Sequence, residues 1–350
     1  MFSFIDLFAG AGGFTLGLNR AGGAKTSVAV ESDPDCAATF RLNFPDAILR
    51  ETDIRDTVYD RRRRVDLVVA GPPCQGFSTL NRQRNGDPRN LLYEEVIRCV
   101  DAQRPLAVVV ENVPKFIEAA EGSALVDALR SRGFSVRTGV VNAADYGVPQ
   151  RRHRAMVTAA ANGAAPPWPR ATHAASGGSL PPYRTVGDAF ALLPTEPDGL
   201  NWHRDDYARR SSQIERLRSI REGGSRRDLP PDLVLDCWKD ADGYNDVLGR
   251  LEWHRPATTV RTEFFRPEKG RFLHPDADRP ITPREAARLQ SFPDSFVFPA
   301  DQTLYSVGRQ IGNAIPPRLA EAIGKAMSES LGTVPRLRGR RNDRGSALVA

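Results

Sequence analysis

A chain of 350 residues, 40% hydrophobic and 26% charged, has the composition of a globular protein, with room for one large domain and a smaller one. No apolar run nears the ~18 residues of a membrane span, the start MFSFIDLFAG lacks the basic end of a signal peptide, and four scattered cysteines without a CxxC indicate neither disulfides nor zinc, so a reducing cytoplasm is expected. The net charge of +6 owes much to the RRRR run at 61–64 and to the basic end of the chain, both readable as solvated surface, so charge by itself names no partner.

The first 160 residues alternate short apolar runs with helical patterns. Strands are predicted near 2–7 (FSFIDL), 26–31 (TSVAVE), 65–70 (VDLVVA), 106–111 (LAVVVE), 134–141 (FSVRTGVV) and 154–159 (RAMVTA), with helices near 14–21, 34–44, 91–102 and 115–131. Continuous apolar strands separated by helices predict an α/β protein with a parallel, doubly covered sheet, whose ligands sit at the carboxyl ends of the strands.

Directly after the first strand, Gly10, Gly12 and Gly13 open a helix, which is the context of a nucleotide-binding loop. The spacing is GxGG and not GxGxxG, which disfavours a dinucleotide and suits a ligand that needs close backbone approach without a phosphate cradle. Glu31 ends the second strand, placed to accept from ribose hydroxyls, and Asp53 follows the next segment, placed to accept from an adenine amino group.

The third predicted strand runs into AGPPCQGFS, where Pro72 and Pro73 stiffen the backbone just before Cys74. The bland reading is a turn with a buried thiol. Glu111, in VVVENVP, ends the next strand, so a parallel sheet brings it to the same edge as Cys74. Arg151, Arg152 and Arg154 open the last one in QRRHR. A buried carboxyl can donate a proton, and a thiolate beside arginines is a nucleophile. The basic stretch STLNRQRNGDPRN at 78–90 has the make-up of a closing loop.

From 161 to 182 the composition turns to Pro, Gly, Ala and Ser, as at a domain boundary. The segment that follows holds Trp202, Trp238 and Trp253 without a βα rhythm; residues 168–256 carry 13 Lys+Arg against 14 Asp+Glu, so no basic stripe marks a DNA face there. Thr282, Pro283 and Glu285 then predict an N-cap, an N1 proline and a capping box for a helix at 282–292, and a final helix is predicted at 316–331.

In this order the fragments resemble the DNA cytosine-5 methyltransferase family along most of the chain: DLFAGAGG, GPPCQGFS, ENV, QRRHR, RPITPREAARLQSFPDSF and QIGNAIPP. The resemblance implies a methyltransferase of Rossmann-like α/β fold that takes S-adenosylmethionine as methyl donor and double-stranded DNA as substrate, with the target cytosine swung out of the duplex. It implies Cys74, Glu111, Arg152 and Arg154 as catalytic residues, with Arg152 and Arg154 holding the base carbonyl and orienting Glu111. It implies Phe8, Gly10, Gly12, Gly13, Glu31, Asp53, Ile54, Pro73 and Asn313 as cofactor-binding residues, with the Gln310–Pro317 motif returning to complete the pocket. The expected organisation is a catalytic and cofactor-binding domain at 1–165, a linker and target-recognition region at 166–280, C-terminal motifs at 281–332 that return to the catalytic domain, and a basic, disordered tail at 333–350. A monomeric, nucleoid-associated enzyme is expected, serving restriction-modification or host DNA marking, with a cognate restriction endonuclease as a genetic rather than physical partner. Three alternatives remain: a tRNA-methylating branch with the same motifs, which typically carries a CFT absent here; an inactive DNA-binding paralogue, against which intact Cys74, Glu111 and Arg152 argue; and a nicotinamide-dependent oxidoreductase, disfavoured by GxGG.

Overall fold

The structure is a computed structural model and describes residues 2–62, 64–73, 91–166, 168–175, 178–206, 211–239 and 246–332. Cys74, the 78–90 loop and the 333–350 tail lie outside the described residues. The large sheet has seven strands: β1 (Phe2–Leu7), β2 (Ala24–Glu31), β3 (Ile48–Glu51), β4 (Leu67–Ala70), β5 (Ala107–Asn112), β6 (Ser135–Asn142) and β7 (His153–Ala160). Their order across the sheet is β3-β2-β1-β4-β5-β7-β6. The first five pair in parallel. β7 runs antiparallel to both β5 and β6, which corrects the expectation of a wholly parallel sheet. The connection explains the reversal: only a loop and a short 3₁₀ turn separate β6 from β7, too little chain for the helical crossover a parallel pair needs. β3 is an addition to the predicted strands; its ILRE sequence is half exposed and carries no apolar run to signal it.

Both faces are covered, which is why the strands read as unbroken apolar runs. On one face Phe4, Leu67, Val69 and Val109 meet α1 (Gly13–Arg20) and a C-terminal helix, 317–332. On the other face, Ile5, Val68, Val108 and Val110 meet the helices that follow α2 (Pro34–Asn43), namely α3 (Tyr93–Gln103) and α4 (Ala120–Ser131). Beyond the sheet come α5 (Val186–Phe190), α6 (Ser211–Ser219), α7 (Asp236–Lys239), the short parallel pair β8 (Gly249–Arg250) and β9 (Arg271–Leu273), then α8 (Pro283–Leu289), α9 (Leu304–Asn313) and α10 (Pro317–Gly332). The stretch expected as the recognition region packs into two cores distinct from those of the sheet. Its Phe190, Trp202, Leu251, Phe264 and Phe272 share one core with Ala286, Phe292 and Ile311, while Leu217, Ile220, Leu229, Leu248 and Leu273 form a small core of their own.

The capping box at α8 is present: Thr282 accepts from the amide of Glu285, whose side chain accepts from the amide of Thr282. The same buried carboxylate takes two bonds from Arg279, at 2.9 and 2.8 Å, so RPITPRE is a self-satisfied polar knot inside the core. No helix among the described residues is long and apolar enough to cross a membrane.

Helices α1 and α10 touch through glycine. A Cβ at Gly17 would lie 2.3 Å from the Pro317 carbonyl oxygen and 2.4 Å from Ala320 Cβ. Main-chain atoms cannot yield as a flexible side chain does, so the clash outweighs the ~1 kcal/mol that alanine gains over glycine in a helix. Gly17→Ala should therefore lower stability by about 1–3 kcal/mol in urea unfolding. A variant as stable as the parent would show that this close approach does not set the helix spacing.

Candidate active site

The strand order reverses between β1 and β4: from β1 the chain builds outward through β2 and β3, then returns to add β4 and β5 on the other side. A crevice opens outside the carboxyl ends of strands at such a point. Two adjoining hollows occupy it, of about 280 and 420 Å³, sharing Phe8, Glu31, Ser32 and Pro73.

The loop after β1 enters the crevice with a strained backbone. Phe8, Gly10 and Gly12 have φ of +60°, +55° and +100°. The glycines do different things. A Cβ at Gly10 would meet nothing within 4 Å, so Gly10 turns its bare backbone to open space. At Gly12 a Cβ would lie 2.3 Å from the Phe44 ring, and at Gly13 2.5 Å from the Ile315 carbonyl oxygen. Packing also demands two of the three glycines: Gly12 leaves room for the Phe44 ring at α2's end and Gly13 for the C-terminal segment, while Gly10 and Gly13 line the larger hollow.

Glu31 holds this loop. Its Oε2 accepts from the Gly10 amide at 2.7 Å, and its Oε1 from the Ser32 and Asp33 amides at 2.8 and 2.7 Å. Burial raises its pKa above the ordinary carboxylate value, opposed by those three bonds. Asp53 and Ile54 line the smaller hollow. Asp53 is already engaged: Arg55 donates from Nε to Oδ1 at 2.9 Å and from Nη2 to Oδ2 at 2.6 Å. Those bonds hold its carboxyl down at about 2.

On the other wall the ends of β4 and β5 come together. Glu111 Oε1 and Arg154 Nε form an ion pair at 2.8 Å, with the two side chains 10% and 14% exposed. Glu111 Oε2 lies over Gly71, 3.8 Å from where a Cβ would stand. Asn112, which carries no expected role of its own within ENV, donates to the Pro72 carbonyl at 3.2 Å and ties β5 to the two prolines that precede Cys74. Pro73 lines both hollows.

Arg152 ties the main chain together behind the larger hollow. It is 1% exposed and donates to the main-chain carbonyls of Val260 at 3.0 Å, Gly312 at 2.8 Å and Ala314 at 3.1 Å. Its Nη donors grip the protein's own backbone while the residue also lines the larger hollow beside Glu111, and the ion pair with Glu111 is made by Arg154. Gln150 and Gln290 extend the grip. Gln150 donates to the Gln290 side chain at 3.0 Å, and Gln290 donates to the Ile311 carbonyl at 2.6 Å. Held in this way, the α9–α10 junction lays Asn313, Ala314 and Ile315 along the larger hollow. Across its mouth Arg309 pairs with Asp33, the N-cap of α2, at 3.0 Å. No local pattern signals that pair, whose members lie at opposite ends of the chain. Among the described residues, no group of three or more His, Cys, Asp or Glu could hold a metal ion.

Comparison with known proteins follows the same outline. A family profile described as C-5 cytosine-specific DNA methylase matches residues 2–329. The chain is 34% identical over 342 residues to the Type II methyltransferase M1.HphI of Haemophilus parahaemolyticus, covering 93% of this chain and 86% of that one. It is 33% identical over 344 residues to the Type II methylase M.HgiDII of Herpetosiphon aurantiacus, covering 93% and 95%. Among solved structures, a prophage-encoded E. coli protein described as a DNA modification methyltransferase matches with a TM-score of 0.72 at 26% identity, over 95% of this chain and all of that one (100%).

Beneath the glycine loop lies an unusual carboxyl. Asp6, on β1, is 1% exposed; its Oδ2 accepts from the Thr15 hydroxyl at 2.7 Å and the Thr15 amide at 3.2 Å, while Oδ1 has no hydrogen-bond partner among the described residues. Burial pushes its pKa up to about 7. An acid whose folded pKa lies above its unfolded value binds more protons folded than unfolded. Its effect is therefore to lower stability as pH rises, here between about 4 and about 7. The full effect is about 4 kcal/mol, at ~1.4 kcal/mol per unit. Asp6→Asn should flatten this part of the profile relative to the parent when urea unfolding is followed across that range. An identical pH profile in both proteins would refute it.

Proposed function

The chain belongs to the C-5 cytosine-specific DNA methylase family and is a DNA cytosine-5 methyltransferase; we propose that it takes its methyl group from S-adenosylmethionine and works through a covalent adduct between Cys74 and C6 of a cytosine swung out of the duplex. The observation that carries this reading is the Glu111–Arg154 pair, set at one edge of a crevice whose other edge is the Gly10–Glu31 loop, with Pro73 between them.

The crevice fits the cofactor. Its open backbone at Gly10 admits close approach, and Glu31, Asp33 and Asp53 surround it with carboxylates suited to a cationic nucleoside. Phe8, Gly10, Glu31, Asp53, Ile54, Pro73 and Asn313 would hold it, with Gly13 and the C-terminal segment behind. When bound, it supplies an electrophilic methyl on a sulfonium centre.

The protein's residues make the base able to accept it. Cytosine C5 is too electron-poor to attack unaided, and addition of the Cys74 thiolate to C6 converts the ring to an enamine with a nucleophilic C5. Negative charge that would build on N3 is met by a proton from Glu111, and Arg154 keeps that carboxyl aimed. Once C5 carries the methyl, loss of its proton to a base reforms the double bond and expels the thiolate. C6 cannot be reached inside a stacked duplex, so the base is flipped into the crevice. The part played by Arg152 is to hold the C-terminal wall in place. Target choice belongs to residues ~180–280, and the Type II relatives favour a restriction-modification setting.

Glu31→Ala should weaken S-adenosylmethionine binding by about 1–3 kcal/mol, the usual effect of losing hydrogen bonds to a charged group; calorimetry on a folded variant with unchanged affinity would count against its role. A second test probes the adduct. Fluorine at C5 cannot leave as a cation, so duplex DNA bearing 5-fluorocytosine at the target, with S-adenosylmethionine, should leave the enzyme joined to the base in denaturant. Peptide mapping should find Cys74, and Cys74→Ser should form no such complex while still binding cofactor, because a hydroxyl is a far poorer nucleophile than a thiolate. A link at another cysteine, or one surviving in Cys74→Ser, would sink the mechanism.

A further inference from the structure

The recognition region carries 13 Lys+Arg against 14 Asp+Glu over residues 168–256, so its composition does not supply the phosphate-neutralising charge that duplex binding needs. At the start of β7 side chains alternate: Arg152 and Arg154 point inward, whereas Arg151 is exposed on the outer side. Next to it Tyr183 stands between the charge of Arg151 and the carboxylate of Asp145, to whose Oδ1 its hydroxyl donates at 2.5 Å. Arg184 follows Tyr183 in the chain. Beyond it lies Arg318, near the start of α10, with Nη1 3.3 Å from where a Gly147 Cβ would be. Arg20, at the end of α1, comes next.

Four guanidiniums from four separate segments thus neighbour one another around the Asp145–Gly147 turn and the packed ends of α1 and α10. Among the described residues none of the four donates a side-chain hydrogen bond or forms an ion pair. The nearby carboxylates are engaged elsewhere: Asp145 by Tyr183, and Glu321, which faces Arg318, by Lys325 at 2.6 Å. Burial together with Arg184 and Arg20 lowers the pKa of the Arg318 guanidinium, and Arg318 and Arg184 add to burial in lowering that of His173. Glu321 offsets part of this repulsion, and an anion seated among the arginines would relieve more of it.

We propose that Arg151, Arg184, Arg318 and Arg20 form a track for the phosphate backbone of duplex DNA, running outward from the active-site edge and touching DNA that flanks the target. The proposal rests on the methyltransferase reading only for its choice of polyanion. A planar guanidinium grips phosphate through paired N–H donors and carries no base information, so the track would contribute affinity and leave target sequence unchanged.

The test is the salt dependence of binding to a long, mixed-sequence duplex, followed by fluorescence anisotropy with the full chain. Removing one arginine–phosphate pair lowers the slope of log K against log salt by about 0.9, so Arg151→Ala with Arg184→Ala should lower it by about 2. Arg184→Lys keeps the charge and should restore most of its share. Arg61→Ala with Arg62→Ala, ahead of β4 on the amino side of the sheet, removes the same net charge and should leave the slope as it was. An unchanged slope in the track variant, or an equal fall in the Arg61/Arg62 control, would overturn the proposal; thermal melting shows whether the variants are folded. Methyl transfer by the parent protein is read in the same samples, so failure of the catalytic reading would be seen separately.

Discussion

The whole site depends on how the break between α9 and α10 is satisfied. Pro316 and Pro317 forbid a continuous helix, so the last carbonyls of α9 have no partner inside it. They are buried, and a buried carbonyl without a donor opposes folding. Arg152 and Gln290 supply the donors, to Ile311, Gly312 and Ala314, and a cation is well placed at a helix carboxyl end. Through the same side chain Arg152 also holds Val260, and Gln150 accepts from the Val260 amide at 2.8 Å. One cluster on the edge of β7 thereby sets the crossing segment at 257–260 and the C-terminal wall of the crevice.

With that wall in place, the bare backbone of Gly13 meets Ile315 and Gly17 meets Pro317, so the two ends of the chain build one surface. The close approach explains why glycine is needed at Gly17, which lies outside both hollows. It also fixes the height of the glycine loop relative to Glu31, whose three amide bonds leave its orientation no freedom.

The carboxylates of the crevice are each held by a different device. Glu31 is held by main-chain amides, Asp53 by the fork of Arg55, Glu111 by Arg154, and Asp33 by both its helix and Arg309. A carboxyl held by fixed donors resists reorientation, which is the condition for a preorganised site. Asp6 differs, with one oxygen unpartnered among the described residues and its pKa pushed up to about 7, so it sits below the loop as a group that can take up a proton near neutrality.

The apolar runs and the residues that end them are enough to place β1, β2, β4 and β5 and to bring Glu31, Glu111 and the Pro72–Pro73 segment to one edge, because strand period and parallel direction are local properties written into each run. Glycine after β1 and the capping box at Thr282 are likewise readable, since turn and cap chemistry act over a few residues. What only the tertiary structure decided is where long side chains and bare glycines end up. Arg152 and Arg154 are two letters apart and of one type, yet alternation and packing send the first to three carbonyls from distant segments and the second to Glu111. Asn112, Arg309 and the partners of Gly12 and Gly13 are hidden for the same reason. The apolar run marks β7 as a strand without revealing that it is antiparallel, because direction depends on the length of connection that packing allows. Local pattern states what a residue can do; the partner it does it with lies tens to hundreds of residues away, and only the folded chain brings the two together.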